Sequence, residues 1–535
     1  MSNKIIKGLL IFSRVFVGGL FIVSGLIKAN DPLGFSYKLE EYFEDGALAY
    51  RVKDMLGWKS FTLEFFMDYA LLLSVIICVV EIVLGVAVLL GVKSRLTSWL
   101  LLLMVLFFSF LTLHTATCVP GSEYETINKA GELVTAPVQC VTDCGCFGDA
   151  LKGSVGRSLT PWESFTKDLV LLIFILPLFF FRKKIKPNLI KDNLVIFLGA
   201  GVVILFFCWV FGWYFPLLFS FITIALCLFA QKINQKDLNK EWSVYIVSAI
   251  LSLFFSLYCI KYLPLKDYRP FAVGSSIHEK MNDGIPTITD DRFLYRHNDT
   301  KMDTLLSEAG YMKSWKSISE KYTFVEKIKK VIVQGKDASI KDFTPEKDYE
   351  DLNENEKQYY KNTLDSLYPS FYEKYYVLKT PYGYTDSVPE IDYDSAVYDS
   401  TYHLLSTPEL LADPSKRLTL RMSDYILDKD YSYWIILKDE KSLSDQRIEE
   451  IKSIADIASE KGVYGVVLSS ISDREIHGVL DKLGIEIDVY SLDKIFLKAV
   501  VRSDPGVLLL KKDSIINKWP GAKLPSAKKF ISSLK

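Results

Sequence analysis

Hydrophobic positions divide the chain into two unlike halves: long apolar runs up to about residue 263, and short alternating ones beyond it. A helix needs roughly 20 apolar residues to cross a hydrocarbon core. Seven runs meet that length or approach it, at 5–27, 66–91, 96–113, 166–181, 194–211, 214–230 and 243–262. Only Gly212-Trp213-Tyr214-Phe215-Pro216 separates the fifth from the sixth, which predicts either a tight hairpin or a kink in one long segment. The first run passes through Ser24-Gly25-Leu26-Ile27-Lys28 into a charged loop without a small-residue cleavage site, so it reads as an uncleaved anchor.

After Pro264 the periodicity changes. Residues 264–430 hold Tyr-rich runs such as Tyr375-Tyr-Val-Leu378 and an acidic, helix-favouring stretch around Asp348–Lys361, giving α+β character. From residue 431 the order is sharper: strand 433–437, helix 444–461 with Ile448, Ile451, Ile454, Ala455 and Ala458 at helical spacing, strand 464–469 and helix 472–483. Val489–Leu492 and Ile495–Arg502 follow, and then strands 507–510 and 515–519 joined by a turn.

Charge supplies an orientation. With the N-terminus cytoplasmic, the inner segments 1–7, 92–97, 182–193 and 231–241 hold 12 basic residues in 36 positions. The outer loops 28–65, 114–165 and 212–213 hold eight in 92. The Lys/Arg bias of short loops therefore puts residues 114–165 and 264–535 outside the cytoplasm. That is the expectation for a bacterial inner-membrane protein with a periplasmic C-terminal domain. A net charge of −1 and no long basic run in the second half give no reason to invoke nucleic acid.

Within the spans, ionisable residues are costly and face a partner or a cavity. Arg14 and Glu81 lie about 14 and 15 Å from the inner ends of their runs at 1.5 Å per residue, so antiparallel neighbours would pair them. Such a pair fixes helix register or lines a proton or quinone pocket. Lys28 and Arg95 lie near span ends and read as snorkelling residues. His114 ends the third span four residues before Cys118; it caps the helix C-terminus, tunes a nearby thiolate or binds metal. Asp168 reads as a first-turn acid complementing its helix N-terminus.

Of eight cysteines, none follows Cys259, and Cys78, Cys208, Cys227 and Cys259 fall in apolar runs as small buried hydrophobes. Cys118, Cys140, Cys144 and Cys146 share one loop on the oxidising side. They can form disulfide staples in three pairings, or exchange electrons at Cys144/Cys146, or hold zinc with His114. Zinc fits poorly, because the spacing lacks paired C-x₂₋₄-C arms, and no metal is assigned.

The run Asp143-Cys144-Gly145-Cys146-Phe147-Gly148-Asp149, then Leu159-Thr160-Pro161-Trp162 and Lys167-Asp168-Leu169, resembles the DoxX/MauE membrane proteins. Arg14, Ser24-Gly25-Leu26-Ile27-Lys28, Asp31-Pro32-Leu33-Gly34 and Glu81-Ile-Val-Leu-Gly85 resemble the first two helices of that family, in its larger, Bacteroidota-type members. The resemblance covers about residues 8–181 and implies a four-helix bundle with envelope redox chemistry: disulfide support of exported proteins, or association with a quinol-linked oxidase.

The strand and helix order after residue 431 is similar to a thioredoxin fold, with Pro505 at its cis-proline position. Where that family carries Cys-x-x-Cys, this chain reads Lys438-Asp-Glu-Lys-Ser-Leu-Ser-Asp445 and has no thiol, which leaves a binding module. The sequence thus predicts a bundle of about seven spans plus an extracytoplasmic α/β domain. Its parts are 1–190 (the bundle with the Cys loop), 191–263 (three further helices), 264–430 (α+β) and 431–535 (thioredoxin-like). Two functions fit: redox support of exported proteins through a partner, with quinone as the implied cofactor, or a non-enzymatic scaffold in an envelope complex such as the secretion machinery.

Overall fold

The computed structural model describes the chain except residues 1–2, 128–130, 142–144, 146, 189, 234–236, 308–320, 334, 345, 348–351, 368–371, 382, 391–392, 394, 399–401, 407–408, 412–419, 440–441, 485–486 and 535. The first half is helical. It contains α1 (Asn3–Asn30), α2 (Pro32–Phe43), α3 (Ala70–Leu90) and α4 (Ser94–Ala116), then a hairpin of β1 (Glu123–Ile127) and β2 (Leu133–Pro137). The helices α5 (Gly148–Val155), α6 (Pro161–Phe180), α7 (Ile190–Phe211), α8 (Phe215–Ile233) and α9 (Asp237–Tyr262) follow.

Six stretches among the described residues are long and apolar enough to cross a membrane: Lys4–Asn30, Glu64–Leu90, Ser94–Ala116, Asn193–Phe211, Phe215–Ile233 and Lys240–Tyr262. The expected seventh, 166–181, is not among them. It belongs to α6, which starts at a Thr160/Glu163 capping box with Pro161 and carries Glu163, Lys167 and Asp168 in its first turns. Those charges interrupt the apolar window. Even so, α6 lies antiparallel along α4: Thr112 Oγ1 donates to Asp168 near one end, and Ser98 Oγ to Leu178 O near the other. α1, α3, α4 and α6 thereby pack as a four-helix bundle. The hairpin reading of 212–216 holds, since Gly212 at φ 58° separates α7 from α8.

α1 and α3 cross at small residues. A Cβ on Gly85 would lie 2.9 Å from Gly18 O, so the two backbones touch, as tight helix pairs in lipid do.

The second half is built on sheets. β3 (Ile288–His297) pairs with β4 (Asp303–Ser307) and β5 (Tyr322–Val333) on either side, and β6 (Tyr372–Lys379) pairs with β7 (Thr385–Pro389). The last sheet joins β8 (Tyr431–Leu437), β9 (Tyr464–Ser469), β10 (Asp488–Ser491), β11 (Gly506–Lys511) and β12 (Ser514–Pro520) in the order β10-β9-β8-β11-β12. β8, β9 and β10 run parallel, and β11 and β12 antiparallel. Between the strands lie α10 (Asp445–Glu460), α11 (Asp473–Leu483) and α12 (Lys494–Val500).

Strands covered on both faces read as continuous apolar runs, and β8 is buried from Ser432 to Leu437. Tyr433, Ile435 and Leu437 face Ile451 and Ile454 of α10. On the opposite side, Trp434 and Ile436 join Phe343, Tyr360 and Tyr425. One core therefore draws on residues from both sides of position 430.

Candidate functional site at the junction of bundle and sheet

Three residues at the end of α1 organise the site. Lys28 turns into the bundle, while Asn30 and Asp31 turn towards the second half. Asp31 precedes Pro32 and caps α2, accepting from Gly34 N at 2.9 Å. It also receives Arg502, the residue two positions after α12, through Nε at 2.9 Å and Nη2 at 2.8 Å. The guanidinium passes over Gly34, where a Cβ would sit 2.6 Å from Nη2 and push the fork aside. Arg502 reaches Asp149 of α5 at 3.5 Å as well.

Further ties surround this fork. Lys498 meets Glu40 at 3.3 Å and lies over the Tyr37 ring; Asn30 and Lys266 exchange two hydrogen bonds. Arg269 is bidentate to Asp267 and donates to Ala499 O, while Lys518 holds the same carboxylate at 2.9 Å.

The charges here respond to burial and to one another. Burial alone would raise the Asp31 carboxyl; Arg502, then Arg269, outweigh it and hold the group below the ordinary carboxylate range. Burial likewise opposes ionisation of Asp267, and Arg269 and Lys518 overcome it. Burial, and then Arg269, push the Lys518 ammonium down to about 7. Burial pushes Lys438 down to about 8 in spite of Asp504.

Inside the bundle the expected Arg14–Glu81 pair is not formed. Glu81 Oε1 binds Lys28 Nζ at 2.6 Å, and both side chains are under 5 % exposed. Arg14 instead donates from Nε to Val88 O at 2.9 Å and from Nη2 to Leu89 O at 2.8 Å, with Asn188 beside it. These carbonyls end α3, so Arg14 caps a helix C-terminus. The depth estimate failed because the apolar run of α1 begins well beyond the end of α3. Gly18 lies against Gly85 and Leu89, and Gly25 against Ile82 and Glu81, a register that leaves Lys28 within reach of Glu81. Lys28 therefore does not snorkel; it also contacts Ser24 Oγ at 3.0 Å and the Phe108 ring. The glycines at 18, 25 and 85 were the sequence signal for this register.

Asp168, the eighth residue of α6, is 1 % exposed and is bound by Thr112 and Lys167, so it is a buried partner of α4 and not a first-turn acid complementing its helix N-terminus. His114 is 2 % exposed; its Nδ1 accepts from Arg51 Nε at 3.0 Å, and its ring lies beside Tyr42 and Tyr50. No group of three or more His, Cys, Asp or Glu side chains able to hold a metal ion occurs among the described residues.

In the loop, Cys118 and Cys140 are joined to each other, tying the end of α4 to the end of the β1–β2 hairpin. Asp45 and Lys53 pin the same hairpin, Lys53 Nζ donating to Asp45 and to Thr126 at 2.6 Å. Cys144 and Cys146 lie outside the described residues. Gly145 between them is buried and lines a cavity of about 70 Å³ with Lys28, Asp31, Asp149 and Arg269. Pro505 follows Arg502 by three residues, and the Asp504–Pro505 bond is cis.

Sequence reasoning missed Arg502, Arg269 and Lys518. Arg502 and Asp31 are 471 positions apart, and nothing local to either marks the other. Asp31 alone carried a signal, as an Asp before Pro at a helix start.

No curated protein and no solved structure matched the chain. The DoxX family model matches residues 9–115, which run from the first turns of α1 to the last turn of α4 and include Lys28, Asp31 and Glu81. The membrane part of this chain thus carries a DoxX domain at residues 9–115.

Proposed function

We propose that this is an inner-membrane envelope protein that supports disulfide formation in exported proteins through its Cys loop, with Cys144 and Cys146 as the exchanging pair. One observation carries the reading. Cys118 and Cys140 are bound to each other, so neither is available to pair with Cys144 or Cys146. In the exchange, two thiols of an exported partner reduce a Cys144–Cys146 disulfide; the partner leaves oxidised, and both loop cysteines become thiols. The two electrons then pass to an oxidant, for which a membrane quinone is the class we name. The Lys/Arg bias of the loops supports an extracytoplasmic position for this loop and for the sheets.

We read the last sheet as thioredoxin-like and without thiols, on the support of its strand order and its parallel-then-antiparallel directions. A second reading, the scaffold, draws on a separate observation: Arg502, beside Pro505, is bound to Asp31 and Asp149 of the bundle. That face serves the chain's own membrane half, leaving other surfaces to hold a complex such as the secretion machinery.

Differential thiol labelling of the native protein, with Cys144→Ser and Cys146→Ser variants, decides between them. Redox support requires a mixed redox state and mixed disulfides trapped with exported proteins. A loop that is always fully oxidised, and whose variants lose only abundance, leaves the scaffold.

A further inference from the structure

A second cavity, of about 30 Å³, lies within the bundle among α1, α3, α4 and α6. Its polar lining is Ser24, Lys28, Glu81, Lys167 and Asp168. Lys28 and Phe147 line both this cavity and the larger one beneath Gly145. Glu81 is 3 % exposed, and its Oε2 has no hydrogen-bond donor among the described residues. A buried carboxylate oxygen left without a donor is costlier than a neutral group in the same position. A water needs about 10–15 Å³ of such space and two to four polar partners, and this cavity supplies both.

We propose that the two cavities form one water-filled inlet, open on the sheet side of the bundle, that delivers water and protons carried on it as far as Glu81 and Asp168 and no further. Water donates to Glu81 Oε2 and completes the shell of the Lys28–Glu81 pair. Lys28 and Phe147 stand at the join.

The inlet is closed below by apolar residues: Leu20, Phe21, Val105 and Leu171 line the remainder of the inner cavity. Beyond them Arg14 is held by Val88 and Leu89. The charged and titratable groups facing the path come from every neighbouring element. They are Lys28 on α1, Asp31 and Lys38 on or before α2, and Glu81 on α3. Asp149 on α5, Lys167 and Asp168 on α6, and Lys266, Asp267, Tyr268 and Arg269 after α9 complete the set. A blind polar inlet hydrates a site without leaking ions across the membrane. It holds whether or not the Cys loop exchanges disulfides.

The test is radiolytic hydroxyl-radical labelling of the full chain in membrane vesicles, read peptide by peptide, because the radical forms from water in place and needs no more room than a water. Ser24→Cys is nearly isosteric, and its thiol is a sensitive target for an oxidant formed beside it. Expected is labelling of S24C about tenfold faster than a lipid-facing Phe12→Cys control, with Val17→Cys, two turns further in, at the control rate. Adding Lys28→Met with Glu81→Leu removes the ion pair from the lining and leaves neither of its charges unpaired, and labelling falls back to the control rate. Labelling of S24C at the control rate, or of Val17→Cys as fast as S24C, overturns the inlet. So does a rate that the double replacement leaves unchanged. Cys144→Ser alters none of these outcomes, so the redox reading fails or stands separately.

Discussion

Two ionic clusters begin three residues apart at the end of α1 and have different surroundings. Lys28 faces Glu81 inside the bundle, in one pair with one cavity. Asp31 faces Arg502 at the junction, where Asp149, Lys498, Glu40, Arg269, Asp267 and Lys518 join a network. In the bundle Lys28 and Glu81 form one ion pair, so losing one strands the other. At the junction the charges share partners, so single losses are cushioned. The contrast shows how one helix end serves as the anchor for both halves of the chain.

The largest effect should come from breaking the bundle pair one-sidedly. Glu81→Ala leaves Lys28 buried and alone, costing about 3–5 kcal/mol, while Lys28→Met with Glu81→Leu is close to neutral. Thermal unfolding in detergent should give that order, and equal losses for both would mean that Lys28 does not depend on Glu81 as its countercharge. Arg502→Ala should cost less, about 2–3 kcal/mol, because Asp31 keeps its Gly34 cap and Arg269 nearby. Its signature is local: proteolysis after residue 262 speeds up while the bundle resists. If the bundle melts too, the junction is as brittle as the pair.

Replacing Cys118 and Cys140 together by Ser should cost about 2 kcal/mol, confined to the hairpin, since Lys53–Asp45 still holds it. Protease nicking between residues 119 and 139 reads this. The smallest effect is on pH. With Lys518 at about 7 and Lys438 at about 8, the unfolded chain holds more protons than the fold above pH ~7. Stability of the sheet half therefore rises from pH ~7 to ~9, and Lys518→Met lessens the rise. Asp31 acts in the other range. Its lowered carboxyl stabilises the junction above the ordinary carboxylate value, and that stabilisation is lost as pH falls through the folded value.

Elements with strong periodicity were legible in the sequence. The helix expected at 444–461 is Asp445–Glu460, and the strand expected at 464–469 is Tyr464–Ser469. Apolar spacing fixes such elements locally. Pairings between elements were not legible, for two physical reasons. Arg14 and Glu81 were matched by depth alone, whereas register is set by where backbones approach, at Gly18 and Gly85. For Arg502 and Asp31 the cause is distance in sequence, since contacts between halves leave no periodic trace. At the candidate site the cysteines, Asp31 and Glu81 stood out as residue types in unusual places. Lys28 was visible but misjudged, because its long side chain suits either an interface or a buried partner.

The clasp of Asn30 and Asp31 on Lys266 and Arg502 has a practical consequence for work on the separated second half. A fragment starting at residue 264 would present Arg502 and Lys498 without the carboxylates that cover them in the full chain. Such a fragment bares one cationic patch on an otherwise acidic half, and that patch attracts acidic peptides. Ligands fished out with it would report the missing α2, and a bait that keeps residues 1–263 attached is the one that screens for true partners.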